Sequence, residues 1–344
     1  MAHDWVADVL GEPFEQLTLD LGEDSEGPVV ATLVRSLARH SVFANLLGDR
    51  RPLHDVDVLY VHGWSDYFFQ RSLARYWNDR GADFYALDLR KYGRSIRPGQ
   101  TPGYIADLTT YDEDIAAALI AMGRPGDGSS TDRRLVLVGH STGGLTLSIW
   151  ASNHPDAASA LILNSPWLEF QLGVVRGAVA PVVELQSRLR PLGTLPQVDM
   201  GFYTRAQREA AGRELDVNPE WRPEQTTAVH HGWLAAILAG HAKVAAGLHV
   251  SAPVCVLLSQ KSAVPARWSD ELTRTDSVLV VDDIARAALK LGDSVTIERI
   301  PGALHDVFLS RPEARDTAYE RMDRWVMGSL GTSRLPLAPG TYGA

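Results

Sequence analysis

Short, mostly apolar runs, each followed by a stretch with helical spacing, restrict this chain more than any other feature. They fall at 56–61, 84–89, 135–138, 160–163 and 253–258. A strand apolar on both sides must be covered on both sides, so the runs predict a parallel sheet between layers of helices. Helices are expected at 66–80, 110–122, 145–152, 280–291 and 312–328, and a further strand at 295–300. Two alternating segments, 14–21 and 28–38, are separated by Gly27-Pro28 and read as an antiparallel edge. Residues 123–132 are rich in Gly, Pro, Ser and Asp and read as a surface loop.

The alternation breaks at 166–248, where prolines 181, 191, 196, 219 and 223 interrupt mixed helix and loop. An insertion between two parallel strands lies over the carboxyl edge of the sheet, so this stretch is expected to be a helical cap. It follows the sixth strand in this reading. The chain then divides into an α/β core at 1–165 and 249–330, the cap at 166–248, and a loose tail at 331–344.

The 344 residues are 45% hydrophobic and 22% charged, which suits a sizeable globular core. A net charge of −9 and a pI near 5.7 argue against nucleic acid or an anionic membrane as partner. The single cysteine, Cys255, excludes a disulfide scaffold. No apolar run reaches the ~18 residues of a membrane helix, and no secretory leader stands at the start, so a cytoplasmic location is expected. No His/Cys cluster suggests a metal. No Gly-rich phosphate loop suggests a nucleotide, so no cofactor is expected.

The run at 135–138 leads into Gly139-His140-Ser141-Thr142-Gly143-Gly144. A serine between a buried strand and a helix sits on a sharp turn that lifts its hydroxyl above the sheet. Such a hydroxyl needs a base to take its proton and an acid to orient that base. His305 is the expected base. It follows the strand at 295–300 and the turn Pro301-Gly302, at the same carboxyl edge as Ser141. The acid is less direct, because 259–265 contains no carboxylate after the strand 253–258. Asp276 is chosen, about thirty residues before His305, with Asp270 and Asp282 as alternatives. The oxyanion donors should be the backbone amides of Thr142 and Trp64, the latter on the loop after 56–61. His62 is expected to shape that loop. His140 is expected to support the turn, and with Trp64 and Trp167 it is placed nearest the substrate.

These pieces resemble the α/β-hydrolase superfamily, and more narrowly its monoacylglycerol lipase and lysophospholipase group, described broadly as serine aminopeptidase S33-like. The resemblance rests on His62-Gly63-Trp64, Asp88-x-Arg90-x-x-Gly93-x-Ser95, Gly139 to Gly144, and Pro301-Gly302-Ala303-Leu304-His305-Asp306. It covers about 28–165 and 250–328 and leaves the cap largely unmatched. It implies the α/β-hydrolase fold and a serine esterase, cleaving a small to medium hydrophobic ester through an acyl-enzyme. Two departures stand out. The family's acid follows the strand directly in a short Asp-x-Val loop, whereas here that loop is lengthened across 259–274. Thr142 stands where the family often has Met or Gln. The same residues would serve an amide, peptide or thioester hydrolase, or a non-catalytic binder.

Overall fold

The computed structural model describes residues 4–39, 51–129, 131–170, 173–196, 200–264 and 266–330; of residues 173–179 and 213 only the backbone is described. The 331–344 tail lies outside the described residues. The strands are β1 (Val6–Ala7), β2 (Glu15–Asp24), β3 (Gly27–Ser36), β4 (Val56–Val61), β5 (Asp83–Asp88), β6 (Arg134–His140), β7 (Ala160–Asn164), β8 (Val254–Ser259) and β9 (Val295–Ile300). They form one sheet in the order β1-β2-β3-β5-β4-β6-β7-β8-β9. From β5 onward every pairing is parallel, while β1, β2 and β3 add an antiparallel edge. The fold is therefore the expected α/β-hydrolase arrangement.

Every residue of β4, β7 and β8 is buried; the one charge among them, Asp57 in β4, is paired with Arg124 and Arg133. Helices α1 (Arg71–Asp79), α2 (Tyr111–Ala121), α3 (Thr142–Asn153), α7 (Val281–Ala288) and α8 (Pro312–Leu330) cover the two faces. They bury two apolar layers, one around Leu59, Leu137 and Leu147, the other around Val58, Val136 and Phe84. Between β7 and β8 run α4 (Gly173–Leu189), α5 (Phe202–Ala211) and α6 (His231–Ala246). Because the two-residue strand β1 was not expected, this insertion follows the seventh strand and not the sixth. No helix among the described residues is long and apolar enough to cross a membrane.

The helix expected from residue 66 begins only at Arg71. The difference has a clear cause. Phe68 donates its amide to Asp88 Oδ1 (2.8 Å), and its carbonyl accepts from Arg94 Nη1 (2.9 Å). Tyr67 N is taken by Asp66 Oδ1 (3.0 Å). The Phe68 carbonyl, which a helix would give to the amide four residues on, is thus taken by Arg94.

Candidate active site

Three loops at the carboxyl edge of the sheet build the site. The first is the turn from β6 into α3. Ser141 takes φ 51° and ψ −117°, a conformation costing a non-glycine residue about 1–3 kcal/mol. The close packing around it is why glycines flank it. A methyl on Gly143 would stand 2.3 Å from the His62 carbonyl oxygen, and one on Gly139 would stand 2.7 Å from Gly144 Cα. Thr142 opens α3, so its amide is among the first-turn donors that have no partner within the helix.

The second loop follows β4. His62 accepts the Leu89 amide on Nε2 (3.1 Å) and lies 2.7 Å through Nδ1 from the Gly63 carbonyl. These partners assign the proton to Nδ1 and tie the loop to the end of β5. Gly63 is pressed against the serine turn: a methyl there would meet Ser141 Cβ at 3.0 Å. Asp88 and Arg94 brace the loop from beneath. Arg94 binds Asp88 Oδ2 (2.8 Å) and both oxygens of Asp8 (2.7 and 2.9 Å), all three side chains buried. Removing one partner of such a buried pair costs about 3–5 kcal/mol. The Asp88-x-Arg90-x-x-Gly93-x-Ser95 segment is therefore a structural brace under the 62–70 loop.

The third loop carries His305. Its Nδ1 lies 3.0 Å from Asp276 Oδ2, and both side chains are buried. The other Asp276 oxygen accepts the amides of Val278 and Leu279, each at 2.8 Å. The long excursion after β8 returns by backbone pairing. Asp276 N donates to Lys261 O (2.9 Å), and Ala263 N donates to Asp276 O (2.8 Å). Asp276 is thereby set beside the end of β8 despite the intervening residues. The two alternative acids point elsewhere. Asp270 pairs with Arg311 and Arg274, and Asp282 with Arg299, all with exposed carboxylates.

Polar residues that the sequence reading passed over join these loops. Asn164, ending β7, accepts the Ser141 amide on its carbonyl (3.1 Å). Its side chain donates to Asp306 Oδ1 (2.7 Å) and accepts the Val307 amide (3.1 Å). One residue thus ties the serine turn to the histidine loop. Asp306 also accepts Gln70 Nε2 (2.6 Å) and the Phe308 amide (3.0 Å). From the insertion, Arg222 pairs with Asp66 (2.8 Å) and holds Gln207 (2.6 Å). Only the position of Asp306, directly after His305, was a signal available in the sequence.

His140 turns inward and not toward an open face. Its Nδ1 meets the Asn164 carbonyl (3.0 Å), and its Nε2 lies 4.0 Å from Asp306 Oδ2. Its ring is 5.0 Å from that of His305. Burial holds the imidazole below its ordinary pKa, opposed by Asp306 and reinforced by His305. The unfolded imidazole titrates near 6.5. A depressed folded value gives stability that is full above that pH and is lost as pH falls toward the folded value. Wild-type stability should therefore fall as pH drops below about 6.5, with a slope of up to about 1.4 kcal/mol per pH unit from this group. Thermal melts of a His140→Gln variant should show a shallower slope; equal slopes would contradict the assignment.

Trp64 and Trp167 stand on the insertion side, each packed on Trp233 of α6, with ring centroids 3.7 and 6.1 Å apart. Among the described residues no cluster of three His, Cys, Asp or Glu side chains could hold a metal. Burial pushes the Cys255 thiol well above its usual range, so it is not a competing nucleophile.

The fold and this constellation define an α/β-hydrolase. Residues 54–311 match the family model described as serine aminopeptidase, S33, and the chain belongs to that family. It is 26% identical over 276 residues to a monoacylglycerol lipase of Mycolicibacterium smegmatis, covering 79% of this chain and 88% of that one. A monoacylglycerol lipase crystal structure from Paleococcus ferrophilus superposes with a TM-score of 0.60 at 17% identity, covering 79% of this chain and 94% of that one. A soluble variant of monoglyceride lipase from Saccharomyces cerevisiae gives 0.61 at 15%, covering 96% and 99%. At those identities the two structures speak for the fold.

Proposed function

We propose that the chain is a serine ester hydrolase acting on a carboxylic ester of small to medium size. The observation that carries the reading is the buried Asp276–His305 hydrogen bond, set at the same sheet edge as the strained turn of Ser141. Asp276 holds the proton of His305 on Nδ1, leaving Nε2 to accept the proton of Ser141 Oγ. The hydroxyl oxygen bonds the ester carbonyl carbon, and the carbonyl π pair moves to oxygen. The amides of Thr142 and Trp64 hold that oxyanion; each such donor is worth about 3–4 kcal/mol. Collapse expels the alcohol, which takes the proton from His305. Water then cleaves the acyl-enzyme by the same route, releasing the acid and restoring Ser141. No cofactor or metal enters these steps.

In this reading residues 166–248 form a cap, with Trp64 and Trp167 as substrate contacts. His140 supports the turn from within. The test is a p-nitrophenyl methylphosphonate ester. A stoichiometric, time-dependent loss of ester hydrolysis is expected, whereas a protein that neither cleaves p-nitrophenyl esters nor reacts with the phosphonate overturns the reading.

A further inference from the structure

Asp276 fixes the His305 ring at Nδ1 (3.0 Å), but a ring held at one nitrogen can still swing about that point. In the serine-hydrolase reading Nε2, across the ring, must meet Ser141 Oγ. A misplacement of about 1 Å there costs on the order of 10²-fold in rate. A second constraint on His305 comes from the insertion.

Helix α5 presents one face to the histidine loop. Tyr203, Ala206, Gln207 and Ala210 lie on that face at helical spacing. Ala206 and Ala210 pack with the buried side chain of Leu304, the residue before His305. Tyr203 Oη accepts the amide of Asp306, the residue after it (3.1 Å). The Tyr203 ring stands edge-on to the imidazole, with centroids 5.7 Å apart and planes at 73°. One helix thus holds both chain neighbours of His305 and flanks its ring.

Tyr203 is itself held. Its oxygen also accepts from Gln207 Nε2 (2.7 Å). Arg222 Nη2 donates to Gln207 Oε1 (2.6 Å), which assigns the end of that amide facing the phenol. Arg222 Nε donates to Asp66 Oδ1 (2.8 Å), on the loop that carries Trp64. Hydrogen bonds therefore run from the amide after His305, through Tyr203, to the loop after β4.

We infer that Tyr203 is a positioning residue, which sets the orientation of His305 through the Asp306 amide and through its own ring. This rests on the serine-hydrolase reading above. Formation and cleavage of the acyl-enzyme both use that imidazole, so both should slow together when it is misplaced. Equal slowing lowers kcat and leaves KM in place. A residue that only held the insertion over the substrate would act on KM instead.

The test is kcat and KM for p-nitrophenyl acetate, with the rate of reaction with p-nitrophenyl methylphosphonate, on the full-length chain. Tyr203→Phe keeps the ring and loses the acceptor, and should lower kcat about tenfold with KM within about twofold of wild type. Tyr203→Leu also loses the ring and should lower kcat about 100-fold. The phosphonate reaction should slow by similar factors, because it uses the same imidazole. Thr204→Val is the control: it removes a hydrogen bond from the same helix to the Glu224 carbonyl (2.8 Å) and should leave kcat within about twofold. Tyr203→Phe keeps the test available if Tyr203→Leu does not fold. Wild-type kcat in the Tyr203 variants, an effect confined to KM, or an equal loss in Thr204→Val overturns the role of Tyr203 alone. A wild-type chain that neither cleaves the ester nor reacts with the phosphonate overturns the hydrolase reading and this role with it.

Discussion

Ser141→Ala should lower kcat for ester hydrolysis on the order of 10⁶-fold while leaving the melting temperature close to wild type. The size follows from the division of labour. Without Oγ no acyl-enzyme forms, and what survives is attack by water assisted only by the two amides and by binding, on the order of 10³–10⁴ over solution. The fold should be indifferent, because alanine meets the same φ of 51° that serine already tolerates, and Gly139 and Gly143 still provide the close approach around the turn. Retention of more than about one per cent of wild-type turnover would remove Ser141 from the chemistry, since no covalent route loses so little with its nucleophile.

Asp276→Asn should cost about 10⁴-fold in kcat, with a small change in KM. The geometry gives a specific reason. Oδ1 of Asp276 accepts two backbone amides, from Val278 and Leu279. In the asparagine variant the carbonyl oxygen keeps those two bonds, so the amide nitrogen must face His305. A donor there forces the imidazole proton onto Nε2, and His305 can no longer accept from Ser141. Asp270→Asn and Asp282→Asn are the controls. Their carboxylates are exposed and paired with arginines, so turnover should stay within about twofold. Near-wild-type turnover by Asp276→Asn, or a large loss in either control, would place the acid elsewhere.

The parts of the molecule set by local pattern were legible in the sequence. The run at 253–258 became a buried parallel strand because its side chains are apolar, and 56–61 did so with its one charge, Asp57, paired to Arg124 and Arg133. The serine turn was legible for a similar reason, since a strand, two glycines and a helix leave little choice of backbone. Asp276 was harder. Its place beside His305 depends on backbone bonds to Lys261 and Ala263 across a long loop, and spacing alone gives only a rough position for it. The start of α1 was misread because Phe68 spends its amide on Asp88 and its carbonyl on Arg94, partners distant in the chain. Of the polar links only Asp306, directly after His305, left a signal in the sequence. Asn164, Gln70 and Arg222 are ordinary polar residues there, and only the assembled fold brings them together.

The central claim is that Ser141 is the nucleophile. It is tested most directly by reacting the full-length chain with p-nitrophenyl methylphosphonate and locating the adduct by peptide mass spectrometry. A single methylphosphonyl group on the peptide containing Gly139 to Gly144, at Ser141 and absent in Ser141→Ala, is the result expected. An adduct on another residue, or undiminished labelling of Ser141→Ala, would contradict it.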